Sequence, residues 1–286
     1  QWDLSKTRMK AIPFILPSLE EQITIANFLD KKTRQIDEAI IIKQKQIELL
    51  KERKQIIIQK AVTQGLDSNV HMQDSGVDWI GEIPEHWEIT KLGKCLSPVS
   101  MNNQPNLPLL SITRELGVIV RDVENQESNH NFIPDDLSNY KVIKVGQFGM
   151  NKMKAWQGSY GVSQHTGIVS PAYFIFEFTK DIHPDFFNIA IRSKLYVSFF
   201  GSASDGVRIG QWDLSKTRMK AIPFILPSLE EQITIVNGLD KKTAQIAEAI
   251  AKQREQIEKL KEYKAALINS AVTGKIKVTM SFNQEG

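Results

Sequence analysis

The stretch from Leu137 to Phe176 contains four lysines and no acidic residue, and its centre reads NKMKAWQGSYGVSQH. Lysine binds phosphate oxygens, whereas the amides and hydroxyls of Gln and Ser pair with base edges. Nearby glycines would let the backbone approach a ligand closely. This combination predicts contacts with DNA from Lys152, Lys154, Trp156, Gln157, Tyr160, Ser163, Gln164 and His165, and from Arg208 further along the chain. Two alternatives stay open: the aromatic residues equally suit a hydrophobic core, and a charged stretch can simply be a solvated surface.

The sequence contains no recognisable catalytic or metal-binding constellation. A P-loop is missing, because Gly274 and Lys275 are followed by Ile276 where the motif requires Ser or Thr. The five histidines are not paired at helical spacing, and a single cysteine, Cys95, cannot build a metal site or an internal disulfide. We therefore expect no catalytic residue, no metal and no cofactor, and a chain that is not an enzyme.

Composition restricts the class of protein only loosely. The 286 residues are 41% hydrophobic and 24% charged, which is typical of a soluble chain long enough for more than one domain. A net charge of +3 is too small to identify a nucleic-acid binder by itself. No apolar run approaches the roughly 18–20 residues that cross a bilayer. We expect a cytoplasmic protein without a membrane segment.

A long internal duplication organises the chain. Residues 1–25 recur without a change as residues 211–235, and similarity continues at the same offset to residues 61–63 and 271–273. The copies diverge at positions that we interpret as exposed, such as Lys43 against Gln253. The chain therefore consists of two equivalent segments that flank one unique middle segment.

Each copy predicts the start of a helix and then a heptad pattern. Ser18 with Glu21, and Ser228 with Glu231, form capping boxes. In the first copy a short helix should end near Asn27 and a long one should run from about residue 32 to 64. Apolar residues then alternate in steps of four and three along both copies. The predicted seam consists of Ile36, Ile40, Ile47, Leu50 and Ile57 in the first copy, and Ile246, Ile250, Ile257, Leu260 and Leu267 in the second.

We expect the two long helices to pair antiparallel as a coiled coil, because identical segments around an insert are easily related by a twofold axis. About thirty residues at 1.5 Å each would make a rod of ~45 Å. The alternative is that each stripe docks on a globular core. The middle segment should be a mixed α/β domain, which makes the fold class α+β. Its predicted strands are 109–112, 117–121, 141–145, 167–170 and 173–178, with a helix over 185–200.

Several motifs resemble the specificity subunits of type I restriction–modification systems. The segment DSGVDWIGEIPEHWE, at 74–88, is similar to the opening of a target-recognition domain of that family. IPFILPSLEEQ, at 12–22 and 222–232, resembles the signature that ends such a domain and begins a helical spacer. GIVSPAY at 167–173 and NKM at 151–153 are similar to positions within the domain. The resemblance covers nearly the whole chain in family order.

The resemblance implies a domain organisation. It consists of a lead-in over 1–17, a first helical spacer over 18–65, a linker over 66–75, a target-recognition domain over 76–227, a second spacer over 228–275 and a tail over 276–286. The family has two recognition domains, whereas this chain has one, and residues 1–15 look like the tail of another. A truncated gene product, a rearranged allele and an excised fragment remain open as interpretations.

The resemblance also implies a function. The chain would be a non-catalytic subunit that reads one half-site of double-stranded DNA and positions adenine-N6 methyltransferase subunits, with a restriction subunit joining later. Separately, the apolar lead-in at residues 1–15 predicts a partner that covers it, either a second copy in a homodimer or a second specificity fragment. The alternative function, from a different class, is a coiled-coil adaptor whose central domain binds protein.

Overall fold

The computed structural model describes residues 9–10, 15–122, 133–208 and 211–279, with the main chain alone at 205–208 and 211–212. Most of the predicted lead-in and part of the predicted tail therefore lie outside the described residues. The chain forms two compact units. The first lies within residues 1–52 and 245–286, and the second spans Arg53–Ala244.

The elements follow one another in the order α1 (Leu19–Gln64), β1 (Met72–Asp74), β2 (Glu82–Pro84), β3 (Glu88–Lys91), α2 (Leu92–Cys95), β4 (Leu96–Val99), β5 (Leu110–Thr113), β6 (Gly117–Val120), β7 (Lys141–Ile143), β8 (Phe148–Asn151), a 3-10 turn (Ala155–Gln157), β9 (Tyr160–Val162), β10 (Gly167–Val169), β11 (Tyr173–Phe178), α3 (Pro184–Ile191), α4 (Lys194–Ser202), β12 (Ser204–Arg208), β13 (Gln211–Leu214), α5 (Lys216–Ala221), β14 (Pro223–Leu226) and α6 (Leu229–Val272). None of the described helices is long and apolar enough to cross a membrane.

The helix α1 is continuous, so the predicted break between a short and a long helix in the first copy is wrong. Its 46 residues contain neither proline nor glycine, and nothing else in the sequence interrupts the ladder of hydrogen bonds. The capping box forms as predicted: the main-chain N–H of Glu21 donates to Ser18 Oγ over 3.3 Å, and the carboxylate of Glu21 accepts from Ser18 N. Ser228 and Glu231 form the equivalent capping box at the start of α6.

Within the first unit α1 and α6 pack antiparallel, which confirms the predicted pairing. Lys264 Nζ donates to both carboxylate oxygens of Asp37 over 2.7 Å, so residues early in one helix meet residues late in the other. Lys43 Nζ donates to Gln253 Oε1 over 3.3 Å, so the interpretation of these two positions as exposed is wrong. Both residues are half-buried because they face each other across the helix pair.

The predicted seam residues differ in burial. Four are more than nine-tenths buried: Ile36, Ile47, Ile246 and Ile257. The rest are half-buried: Ile40, Leu50, Ile57, Ile250, Leu260 and Leu267. Of these, Ile57 belongs to the second unit and packs against that unit's hydrophobic core.

The second unit is built from short antiparallel strands, in agreement with a mixed α/β domain. Its largest sheet has four strands in the order β4-β11-β8-β9, and the other named strands form pairs. The pair β14–β3 matters most below, because it joins the repeat to the domain with Leu226 opposite Glu88. The helix predicted over 185–200 is two helices, since α3 ends at Ile191 and α4 begins at Lys194, with Ser193 as its N-cap.

The core of the second unit is aromatic, and both long helices contribute to it. Phe148, Phe187 and Phe224 are fully buried, with ring centroids 5.1 Å apart in each successive pair. The end of α1 reaches this core through Val62, and the start of α6 reaches it through Ile235. These segments of the two long helices are therefore part of the second unit.

Candidate nucleic-acid interface

Two of the residues predicted to contact DNA are buried. Tyr160 is fully buried, and its ring packs 4.4 Å from that of Phe200 between centroids. Ser163 is also fully buried, where its hydroxyl donates to the carbonyl of His165 over 2.6 Å. Neither side chain reaches the surface, so their assignment to the DNA-contact set is wrong. Tyr160 begins β9, whose three residues are all buried, and Ser163 follows this strand directly.

The other predicted residues lie at or near the surface. Lys154, Gln164 and His165 are exposed, while Trp156 and Gln157 are half-buried in the 3-10 turn. Gln164 donates to the carboxylate of Asp185 over 3.0 Å. The side chain of Arg208 lies outside the described residues. Four polar side chains of the prediction and a half-buried indole therefore remain, in the segments before and after β9.

Lys152 belongs to a second group of lysines that the fold assembles. It forms an ion pair with Asp213 at 3.2 Å. Next to it, a groove of about 260 Å³ is lined by residues that include Lys141, Phe174, Lys216 and Lys220. The groove thus contains three lysines, and one of them, Lys141, is close enough to Lys152 for their charges to interact. We call Lys141, Lys152, Lys216 and Lys220 the lysine cluster.

Specific contacts hold the lysine cluster in place. Lys141 Nζ donates to the carbonyl of Tyr173 over 2.8 Å, which fixes its ammonium group at the start of β11. Lys216 Nζ lies 4.4 Å above the centroid of the Phe174 ring, a cation–π contact. Since β11 supplies both partners, one strand positions lysines that are distant in sequence.

The electrostatics of the lysine cluster favour an anion. Burial lowers the pKa of Lys141, and the ammonium groups of Lys216 and Lys152 lower it further. Both effects disfavour the charged lysine, and a bound phosphate oxygen would relieve both by supplying the missing negative charge. Only Lys152 has a carboxylate partner in the contacts described here. The arrangement can therefore hold a phosphate group.

The DNA-contact prediction did not include Lys216 and Lys220, because they lie in the repeat and outside the acid-free stretch. Lys141 lies in the acid-free stretch, but it precedes the central segment NKMKAWQGSYGVSQH from which the predicted DNA contacts were taken. The absence of acids around it was the only available signal. Its proximity to Lys216 depends on the pairing of strands.

Other chemistry-bearing groups offer no competing site. Within the described ranges, no three His, Cys, Asp or Glu side chains converge on a possible metal position. Cys95 is buried, and burial raises the pKa of its thiol to about 11, so it is a poor nucleophile at neutral pH.

Comparison with known proteins finds relatives of one kind. No protein-family model matches the chain. The putative type I restriction enzyme MjaX specificity subunit of Methanocaldococcus jannaschii is 29% identical over 284 residues, covering 97% of this chain and 62% of the relative. The type I restriction enzyme MjaVIII specificity subunit of the same organism is 29% identical over 295 residues, covering 96% and 64%. The chain therefore spans less than two thirds of the length of these relatives.

Solved structures show the same fold. A chain from a structure of complex assembly and conformational transition in the type I R-M system matches with a TM-score of 0.63 at 16% identity, covering 91% of this chain and 61% of that one. The HsdS subunit from Thermoanaerobacter tengcongensis matches with a TM-score of 0.50 at 18% identity, covering 92% and 61%. Over almost its whole length the chain is therefore similar in sequence to specificity subunits of type I restriction–modification systems, and it shares its fold with solved chains from such systems.

Proposed function

We propose that the chain is the non-catalytic DNA-recognition subunit of a type I restriction–modification complex. The domain over 76–227 would read one half-site of double-stranded DNA. The paired helices would position adenine-N6 methyltransferase subunits and, later, the restriction subunit. The names of both M. jannaschii relatives support this role, and a structure of similar fold comes from work on assembly of the type I system.

The observation that carries the DNA-binding part of this proposal is the lysine cluster beside the predicted surface. Three lysines around one groove provide phosphate contacts, which orient a protein on DNA without reading its sequence. Gln157, in the turn before β9, and Gln164, after that strand, would then read base edges. Phosphate contact and base reading would thus come from adjacent parts of one domain.

Binding should be weak for the chain alone and stronger with its methyltransferase partners. A net charge of +3 can neutralise few phosphates, so most of the electrostatic attraction must come from other subunits. Nanomolar, sequence-specific binding by the purified chain at physiological salt would contradict this expectation.

A salt series on the complex with methyltransferase subunits tests the proposal. Lys216→Ala and Lys141→Ala should each weaken binding to every DNA sequence alike and reduce the slope of log affinity against log salt by about 1. Asp213→Asn should have the opposite effect, because it frees the charge of Lys152. Lys180→Ala is the matched control, since Lys180 is already paired with Glu88 at 2.7 Å and should change little.

Two results would count against this function. If the lysine variants bind and methylate DNA like the parent, the contact surface lies elsewhere in the domain. If the affinity of the domain for its partner does not respond to salt at all, a protein-binding adaptor explains the domain better, because an apolar protein interface releases few counterions.

A further inference from the structure

The turn between β5 and β6 projects its side chains into solvent. Three residues, Arg114, Glu115 and Leu116, connect the two strands beyond their last pair, in which Thr113 lies opposite Gly117. The side chains of Arg114 and Glu115 are 65% and 79% exposed, and Leu116 is 71% exposed. These three side chains can therefore contact another molecule.

The main chain of this turn is nevertheless held in one conformation. The hydroxyl of Thr113 accepts from the main-chain N–H of Leu116 over 3.1 Å and donates to the carbonyl of Gly117 over 3.3 Å. Gly117 has a φ of +73°, which glycine adopts without strain. The side chains at the tip therefore start from a defined main chain, which reduces the entropy that binding would cost.

Arg192, which directly follows α3, ties the turn to the sheet. Its Nη1 donates to the carbonyl of Tyr160 over 2.7 Å, and its Nη2 donates to the carbonyls of Arg114 and Glu115 over 3.1 Å and 2.8 Å. The guanidinium group of Arg192 is thus bonded to main-chain oxygens of both β9 and the turn. It fixes where the turn lies without using the side chains of the turn.

The turn lies at the same edge of the four-stranded sheet as the lysine cluster. Tyr173 of β11 pairs with Asn151 at the end of β8, and Tyr160 of β9 pairs with the preceding Met150. Lys141 is bonded to the carbonyl of Tyr173 at this edge. Since β9 and β11 flank β8, their beginnings are about 10 Å apart at the usual spacing of strands. This separation is within the width of one major groove, about 12 Å.

The charges of the turn suit a base edge better than a phosphate. Arg114 Nε lies 3.5 Å from Glu115 Oε1, in an exposed ion pair that contributes little stability. The two Nη groups of Arg114 donate to no acceptor among the described residues. A phosphate would repel the carboxylate of Glu115, whereas at a base edge this carboxylate can accept from the amino group of cytosine. Arginine bonded to O6 and N7 of guanine is the commonest specific contact in the major groove.

We propose that Arg114 reads a guanine in the major groove and that Arg192 is the residue that positions it. This inference rests on the proposed DNA-recognition function, and it assigns base reading to a side chain outside the segment 151–165. The exposed turn supplies one guanidinium group, and the half-buried guanidinium group of Arg192, 78 residues away in the sequence, sets its position.

The test uses the complex of the chain with methyltransferase subunits and a randomised duplex library, in which methylated sequences are identified by sequencing. Arg114→Ala should reduce the preference for guanine at one position of the site about 5- to 100-fold and leave the other positions unchanged. Arg114→Lys should also reduce this preference, because lysine keeps the charge but lacks the planar pair of donors.

Arg192 is tested by a double-variant cycle. Arg192→Met removes the donors to the turn and should reduce the preference for guanine at the same position. Combining it with Arg114→Ala should lose no more of that preference than Arg114→Ala alone, because both variants act through one guanidinium group. If Arg192→Met lowers methylation of every sequence by the same factor, its role is structural and the positioning role is overturned.

Lys216→Ala is the matched control, since it removes a cation at the same edge and should weaken binding without changing any base preference. If this control behaves so and Arg114→Ala leaves every preference unchanged, the inference is wrong while the proposed function stands. An equal loss of affinity for every sequence would make Arg114 a phosphate contact and also overturn it.

Two further outcomes would contradict the inference. If Arg114→Ala prevents assembly with the methyltransferase subunits, the turn contacts protein and not a base. If the parent complex does not bind DNA in a salt-dependent manner, the proposed function and this inference both fail.

Discussion

Lys43 and Gln253 occupy the same position in the two copies of the repeat, and they are hydrogen-bonded to each other over 3.3 Å. Two equivalent residues meet only where the axis that relates the copies passes between them. The centre of the helix pair is therefore marked by a polar pair, with the buried Ile47 and Ile257 four residues further along each helix. A polar residue in an apolar seam fixes the register of the helices at some cost in stability.

The first prediction concerns this polar pair. Lys43→Leu should raise the free energy of unfolding by about 1 kcal/mol, because an aliphatic side chain gains more from burial in the seam than the ammonium group does. Urea unfolding measures the change. A loss of stability would mean that the bonds from Lys43 to Gln253 and Gln256 contribute more than they cost.

The second prediction compares two positions on the same helix. Ile47 is 6% exposed, so Ile47→Asp buries an unpaired carboxylate and should lower the free energy of unfolding by several kcal/mol. Leu49 is 54% exposed, so Leu49→Asp should stay within about 0.5 kcal/mol of the parent. Thermal unfolding distinguishes them. Equal effects of the two variants would argue against the antiparallel seam.

The third prediction concerns acid stability. Burial opposes ionisation of Glu231, but hydrogen bonds from His86, Trp87 and Ser228 outweigh it and hold the pKa of this carboxyl below its usual value. A carboxyl with a lowered pKa stabilises the fold above its ordinary pKa, and this contribution is lost as the pH falls through the lowered value. Glu231→Gln should therefore lower stability at pH 7 by about 1 kcal/mol and flatten its decline below about pH 4.5.

Glu21 is the matched control for this variant, since it has the same sequence neighbours and the same capping bonds. It lacks the contacts with His86 and Trp87. Glu21→Gln should therefore have a clearly smaller effect than Glu231→Gln across the pH range. Identical pH profiles for the two variants would show that the cap alone determines the effect.

The fourth prediction concerns the phenol of Tyr160. Its hydroxyl is buried and has no hydrogen-bond partner among the described residues, and burial raises the pKa of the phenol above its usual value. Tyr160→Phe removes an unsatisfied polar group and should raise the free energy of unfolding by about 1 kcal/mol. DNA affinity should not change. A fall in DNA affinity with unchanged stability would mean that Tyr160 contacts DNA after all.

The sequence was sufficient for features that depend on local pattern or on the duplication. Both capping boxes, the helical identity of each copy and the antiparallel pairing follow from spacing and symmetry. The predicted helix break near Asn27 was wrong. The spacing of apolar residues changes there, but α1 contains no residue that disrupts a helix. Strands of three or four residues, such as β1 and β2, are too short to show a periodic signal.

The features that the sequence could not predict depend on tertiary contacts. Ile15 and Ile225 have identical neighbours in sequence, and only the folded domain distinguishes their exposure. Lys141 and Lys216 are far apart in the chain, and β11 brings them to one groove. Tyr160 sits in a polar, glycine-containing stretch, and its burial depends on packing against Phe200, which is distant in the sequence.

The attachment of both helices to one core has a consequence for the order of folding. Asp37 and Lys264 are 227 residues apart, and closing so long a loop in an unfolded chain carries a large entropic cost. Once the domain has folded, Val62 and Ile235 lie in the same core, and the helices already meet at one end. The pairing of α1 with α6 can then extend residue by residue from that end, because each new contact closes only a short loop. Mutations that slow folding of the domain should delay formation of the coil equally, although the coil contains none of the altered residues.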